Sequence, residues 1–280
     1  MTVRIVTDSI ADLPSAVVKE LGITVVPLLV RFGQKLYRDG VDMTADKFYK
    51  KLVRSKVFPV TSVPSPATFA GTYDKLAEET DEILVITISS ELSGTRDVAL
   101  QSVGLMKRKC RVEVIDSRWA TIAEGFIVMK AARAAKAGAK LDEVMKLTRK
   151  TIRRVDFRAA FDTLEYLRRG GRIGRAQALL GSMIKINPII TIKDGIVDTA
   201  AKTRSRAKAI EHLYNFAKSY SHIEEMAVED TACPDEAEAL AERLGSVFPR
   251  ERIYRLKTTP AIGTHTGPGL LLVAILGDKG

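Results

Sequence analysis

Three histidines occur in 280 residues, and one of them, His265, stands in Thr264-His265-Thr266-Gly267-Pro268-Gly269. Two threonines, two glycines and a proline around it predict a loop rather than a helix face. The apolar run Leu270 to Leu276 follows, so that loop is expected to feed a buried strand. Two other segments have the same polar character: Thr61-Ser62-Val63-Pro64-Ser65-Pro66 and Ser89-Ser90-Glu91-Leu92-Ser93-Gly94-Thr95. Three hydroxyl-bearing loops and an imidazole together have the groups needed to grip one small polar or anionic ligand.

Each of these residues also has a plainer reading. Ser93 and Thr95 directly follow a predicted strand, where hydroxyls cap helix starts; the same free N–H groups and dipole would favour an anion. Thr61 and Ser62 precede Pro64 and Pro66, which stiffen the segment without proving a site. His265 is a satisfied loop histidine, a donor to an anion, or a general base for Ser93 with Asp8 or Asp116 as third member. A G-x-S-x-G elbow is absent, because Glu91 stands two residues before Ser93. Gly170-Gly171-Arg172-Ile173-Gly174 lacks the Gly-Lys-Ser/Thr ending of a P-loop and is not G-x-G-x-x-G. Its glycines allow a tight turn around Arg172, whose planar fork suits a carboxylate or phosphate; the alternative is a helix end with a solvent-facing arginine.

The elements that must position these residues alternate in the first half. Strands are predicted at Val3–Thr7, Thr24–Phe32, Glu82–Ile88 and Arg111–Ile115. Helices are predicted from Pro14, over Thr44–Arg54, from Pro66 to about Glu79, and after the Ser93 loop. Two more fill about Arg118–Ala137 and Leu141–Arg154. Near-continuous apolar strands in βαβα order predict a Rossmann-like parallel sheet with helices on both faces. Ligands bind beyond the carboxyl ends of such strands, where Asp8-Ser9, Ser89–Ser93 and Asp116-Ser117 all fall.

The second half reads as a two-layer mixed α/β domain. Strands are expected at Arg158–Asp162, Glu225–Val228 and Arg252–Leu256. Helices are expected at Arg175–Ile184, Ser205–Ser219 and Asp235–Val247. A hairpin turning at Asp194-Gly195 joins Pro188–Ile192 to Ile196–Lys202. The division falls near residue 157, giving units 1–157 and 158–280.

Composition narrows the class. Apolar residues make up 46% and charged residues 28%, as in a soluble globular protein. Eighteen consecutive apolar residues occur nowhere, which excludes a transmembrane helix, and the start is too polar for a signal peptide. Cys110 and Cys233 match no metal or redox spacing and read as reduced core thiols in a cytoplasmic protein. Lysine and arginine exceed aspartate and glutamate by 44 to 34. Arg168, Arg169, Arg172 and Arg175 cluster, yet aromatics are not interleaved with them as a nucleic-acid stacking platform requires.

Several segments together resemble the DegV family: Val6-Thr7-Asp8-Ser9-Ile10-Ala11-Asp12-Leu13-Pro14, Thr61 to Pro66, Ile88 to Thr95, Val114-Ile115-Asp116-Ser117, Leu164 to Gly174, Pro188 to Gly195 and His265 to Gly269. They occur in order along nearly the whole chain. The resemblance implies a bacterial fatty-acid-binding protein of two α/β domains with a long-chain fatty acid, such as palmitate, buried between them. It implies a carrier rather than an enzyme, with no cofactor, metal, nucleic acid or integral membrane association. In some members a separate ATP-dependent fatty acid kinase subunit phosphorylates the bound carboxylate to an acyl phosphate. The family's carboxylate contacts fall on Thr61, Ser93 and His265, with Arg172 as a supporting charge. Departures are Val63 for a frequent glutamine, Ile10 for a frequent threonine, and the bulky Leu270-Leu271-Leu272-Val273, which is expected to shorten or reshape the acyl tunnel. The contrasting reading is a serine hydrolase acting on a lipid or ester through Ser93 and His265.

Overall fold

The computed structural model describes residues 2–180 and 186–280. The chain opens with β1 (Arg4–Asp8), α1 (Ser15–Leu21) and β2 (Thr24–Val26). It then makes an excursion through β3 (Leu29–Phe32), β4 (Lys35–Arg38), α2 (Ala45–Arg54) and β5 (Val60–Ser62). It returns through α3 (Pro66–Leu76), β6 (Glu82–Thr87), α4 (Thr95–Val103), β7 (Arg111–Asp116), α5 (Thr121–Lys136) and α6 (Leu141–Ile152). The second half runs β8 (Val155–Ala160), α7 (Glu165–Arg169), β9 (Asn187–Lys193), β10 (Ile196–Thr203), α8 (Arg206–Lys218) and β11 (Tyr220–Asp230). It ends with α9 (Pro234–Leu244), β12 (Ile253–Lys257), α10 (Pro260–Thr266) and β13 (Leu271–Lys279).

Strands β2, β1, β6 and β7 form a parallel sheet in that order, the Rossmann-like arrangement that the apolar βα alternation predicts. Buried Ile83, Val85, Phe69, Tyr73 and Ala99 join α3 and α4 to one face. On the other face lies α5, buried on nearly every side from Thr121 to Met129. A helix apolar all round must be covered all round, and α5 contacts both β1 of the parallel sheet and β8 and β13 of the second sheet. That second sheet has the order β10-β9-β8-β13-β11-β12 and is mixed: only β11 and β12 run parallel. Its far face is covered by α8 and α9 through Leu213, Phe216, Leu240 and Leu244. Strand β8 belongs wholly to this sheet, so a cut at residue 157 would pass through it.

Five expectations differ from the structure. Thr24–Phe32 is two strands, since Pro27 has no N–H for the ladder and the chain leaves the parallel sheet there. Thr61 is on strand β5, paired with Val30 of β3, and not in a loop. Arg175–Ile184 is a 3-10 turn over Gly174–Leu179, with residues 181–184 outside the described part. His265 is in the last turn of α10. The polar residues that argued for a loop are accommodated by back-bonding: Thr264 Oγ1 donates to Pro260 O and Thr266 Oγ1 to Ile262 O, each four residues earlier. Gly267, at φ 68°, then ends the helix, donating its N–H to Gly263 O. Both cysteines are free and half-buried rather than core residues.

Candidate functional site

The carboxyl ends of the parallel strands face one side of the mixed sheet, and a cavity lies between them. Ile10, Ile88, Ala120 and Thr121 follow β1, β6 and β7 and form one wall. Phe157, Ala159, Phe161, Ile190, Ile192 and Leu272 form the floor. Successive strand side chains point to opposite faces, which is why alternate residues 157, 159 and 161 line it. The same alternation divides the bulky run after His265: Leu270 and Leu272 line the cavity, whereas Leu271 and Val273 pack under α8 and α9. The cavity and its open mouth together hold about 760 Å³ of atom-free space.

Thr61, Ser93, Arg172 and His265 all line this cavity, although they come from β5, the loop before α4, the turn after α7, and α10. Thr61 Oγ1 and His265 Nε2 share a hydrogen bond of 2.9 Å. The imidazole Nδ1 is buried and has no partner. It lies against Gly170, where a Cβ would fall inside van der Waals contact of the ring, so the glycine break of the sequence is a seat for the histidine. Burial, and then the charge of Arg172, push the His265 pKa down to about 4, which makes the ring neutral at pH 7. Arg172 is exposed at the mouth, where Nε donates to Leu92 O at 3.1 Å and Nη1 to Gly170 O at 2.7 Å. The guanidinium therefore ties the Ser93 loop to the histidine's seat and supplies the positive charge.

Ser93 has a different neighbour. Its Oγ lies 2.8 Å from Thr95 Oγ1 and accepts from Thr95 N at 3.3 Å. No hydrogen bond joins it to His265 among the described residues. Asp8 accepts from Ile10 N and Ile88 N, and Asp116 from Ser90 N, Ser90 Oγ and Arg118 N. A Ser-His-Asp relay needs serine bonded to histidine and histidine to carboxylate; here each member is bonded elsewhere. Of the other hydroxyls in that loop, Ser89 donates to Gly195 O in the β9–β10 turn and Ser90 to Asp116. Only Ser93 faces the cavity.

A family model described as "Uncharacterised protein, DegV family" matches residues 2–278. The chain belongs to the DegV family. A DegV domain-containing protein of Streptomyces coelicolor is 38% identical over 278 residues, covering 98% of each chain. The solved structure of a DegV family protein from Thermus thermophilus, described as showing fatty acid binding, superposes with a TM-score of 0.90 at 34% identity. It covers 99% of this chain and 100% of its own. DegV of Bacillus subtilis, described as a fatty acid binding protein, has a TM-score of 0.90 at 28% identity over 99% of this chain and 100% of its own.

Beside the cavity this DegV chain buries an acidic set of which the sequence singles out Asp8 alone. Asp12 Oδ1 accepts from Thr259 N and Asp39 Oδ1 from Ala261 N, both at the start of α10. Asp39 also accepts from Ser9 Oγ, and Glu229 from Ile122 N. Burial raises Asp8 to about 7 and Asp39 to about 6, and holds Asp12, Glu124 and Glu229 well above their ordinary range. No cluster of three or more such groups is arranged to hold a metal ion among the described residues. Asp12 and Asp39 hold the end of α10 opposite His265. None of the helices in the described residues is long and apolar enough to cross a membrane.

Proposed function

We propose that the protein binds a long-chain fatty acid in this cavity, with Thr61, Ser93 and His265 around the carboxylate and Arg172 as its counter-charge. The observation that carries the reading is a mainly apolar cavity in whose lining Thr61 bonds to His265 and Arg172 ties the Ser93 loop to the histidine's seat. Apolar burial stabilises the chain by about 0.8 kcal/mol per methylene, or roughly 10 kcal/mol for fifteen before ordering costs. A carboxylate leaving water needs hydrogen bonds and charge in exchange. The two related proteins described as binding fatty acids support the same ligand class.

The unpartnered Nδ1 favours one histidine tautomer. A proton there would strand a buried donor against Gly170, at a cost of about 1–3 kcal/mol. With the proton on Nε2, the ring donates to Thr61 Oγ1 and leaves the Thr61 hydroxyl proton free for the carboxylate. The histidine then orients the threonine rather than charging the site.

In this reading the protein is a cytoplasmic carrier of two units, divided ahead of β8. It presents the acid to a separate ATP-dependent fatty acid kinase subunit for acyl-phosphate formation. Arg168 and Arg169, exposed and paired with Glu165 beside the mouth, are candidates for meeting that partner. Charge reversal at both should slow phosphoryl transfer; an unchanged rate would remove them from the interface. Native mass spectrometry of gently purified protein tests the ligand itself. A mass increment equal to a fatty acid is expected, and failure to retain or take up any fatty acid would overturn the reading.

A further inference from the structure

The floor of the cavity has a direction. His265 and the turn to β13 lie at the Leu270–Phe161 end, because Leu271 pairs with Ala160 and α10 packs on α7 just after β8. From there the floor follows β8 backwards through Phe161, Ala159 and Phe157. Ala159 sits in a row with Leu272 and Ile190. Four residues of strand span about 13 Å, so Phe157 lies that far along the floor from Phe161.

Past Phe157 the space does not end. Val155, the next residue on the same face of β8, lines a separate recess at the strand ends with Trp119 and Arg154, and Asp156, Arg158 and Thr191 line it from the opposite face of the sheet. Ile192 lines both spaces. Between them stand two rings in edge-to-face contact, Trp119 and Phe157, with centroids 5.8 Å apart and planes at 62°. The indole is pinned, since Nε1 donates to Ile152 O at 3.0 Å. Phe157 is 4% exposed. The apolar strip thus ends at a braced aromatic wall, with a polar recess beyond it that basic residues line together with Asp156 and Asp278.

We propose that Phe157, braced by Trp119, is the stop that sets the length of acyl chain the cavity accepts. This rests on the fatty-acid reading above and deepens it. A chain whose end meets the ring is fully covered, and each further methylene must displace it or fold back. Phe157→Ala joins the strip to the recess beyond. Ala159→Phe puts a ring one row nearer the rim and moves the stop the other way.

The test is a competition of saturated fatty acids of twelve to twenty-two carbons against wild type, Phe157→Ala, Phe157→Leu and Ala159→Phe, read by native mass spectrometry. Phe157→Ala should shift preference toward longer chains by on the order of tenfold per two added methylenes. Phe157→Leu should shift it less in the same direction, and Ala159→Phe should favour shorter chains. The leucine and phenylalanine variants keep the test decisive if the alanine variant does not fold. Identical length profiles in wild type and folded variants would overturn the stop while leaving the binding reading intact. Wild type that takes up no chain of any length would instead overturn the binding reading.

Discussion

Two sets of buried polar groups lie within the same rim, and they are used in opposite ways. The carboxyls of Asp8, Asp12 and Asp39 accept hydrogen bonds from backbone amides of Ile10, Ile88, Thr259 and Ala261. The cavity set is joined side chain to side chain, His265 Nε2 to Thr61 Oγ1 and Ser93 Oγ to Thr95 Oγ1. The first set holds the strand ends and α10 in place. The second can turn a hydroxyl proton to a ligand without releasing a backbone group. A polar side chain signals a site when it can still donate to a ligand, not merely when it is buried.

Substitutions should separate the two sets, beginning with the largest effect. Asp8→Ala strands two buried N–H donors at about 1–3 kcal/mol each, so urea unfolding should show a loss of about 3 kcal/mol or more. Gly170→Ala forces a methyl into the His265 ring and should cost about 1–3 kcal/mol as an overpacked core does. Adding His265→Ala to it should restore most of that stability, a coupling that a double-mutant cycle measures. If the two changes were additive, the seat would be wrong. Ser93→Ala removes a hydrogen bond to a charged ligand, worth about 1.5–3 kcal/mol, and His265→Ala takes away the donor that turns the Thr61 hydroxyl toward the carboxylate. Fatty-acid affinity should fall about tenfold to a hundredfold without unfolding the protein.

The smallest effect is on pH dependence, and its sign differs between the sets. Asp39 rises from 3.8 to about 6 through burial, so its contribution to stability is full below pH 3.8 and lost as pH rises through 6. His265 falls from 6.5 to about 4, so its contribution holds above pH 6.5 and is lost as pH falls through 4. Between pH 4 and 6, Asp39→Asn should therefore fall in stability more steeply on acidification than wild type, and His265→Gln less steeply. Denaturation midpoints across that range would reveal a shared sign if the comparison were false.

Much of this was legible in the sequence because local chemistry and fold agreed. Apolar runs ending in Asp8-Ser9, Ser89 and Asp116-Ser117 placed the rim, and Thr61, Ser93, His265 and Arg172 do line one cavity. Thr61 was misplaced into a loop because β5 is three residues long and bounded by prolines, and only pairing with β3 makes it a strand. His265 was misplaced because threonines that favour loops can instead bond back within a helix. The role of Gly170 was hidden, since a glycine chosen for its missing side chain reads like one chosen for its backbone. Nothing in the sequence around Asp39 shows that it meets Ala261, which is 222 residues away.

The central claim is that a carboxylate sits among Thr61, Ser93, His265 and Arg172. Carbon-13 NMR of carboxyl-labelled palmitate bound to the protein observes that atom alone. The predicted result is a bound resonance, separate from free palmitate, that keeps its position between pH 5 and 8 and moves in Ser93→Ala and His265→Ala. A bound resonance that titrates like an open carboxyl group, or that ignores both substitutions, would contradict the account.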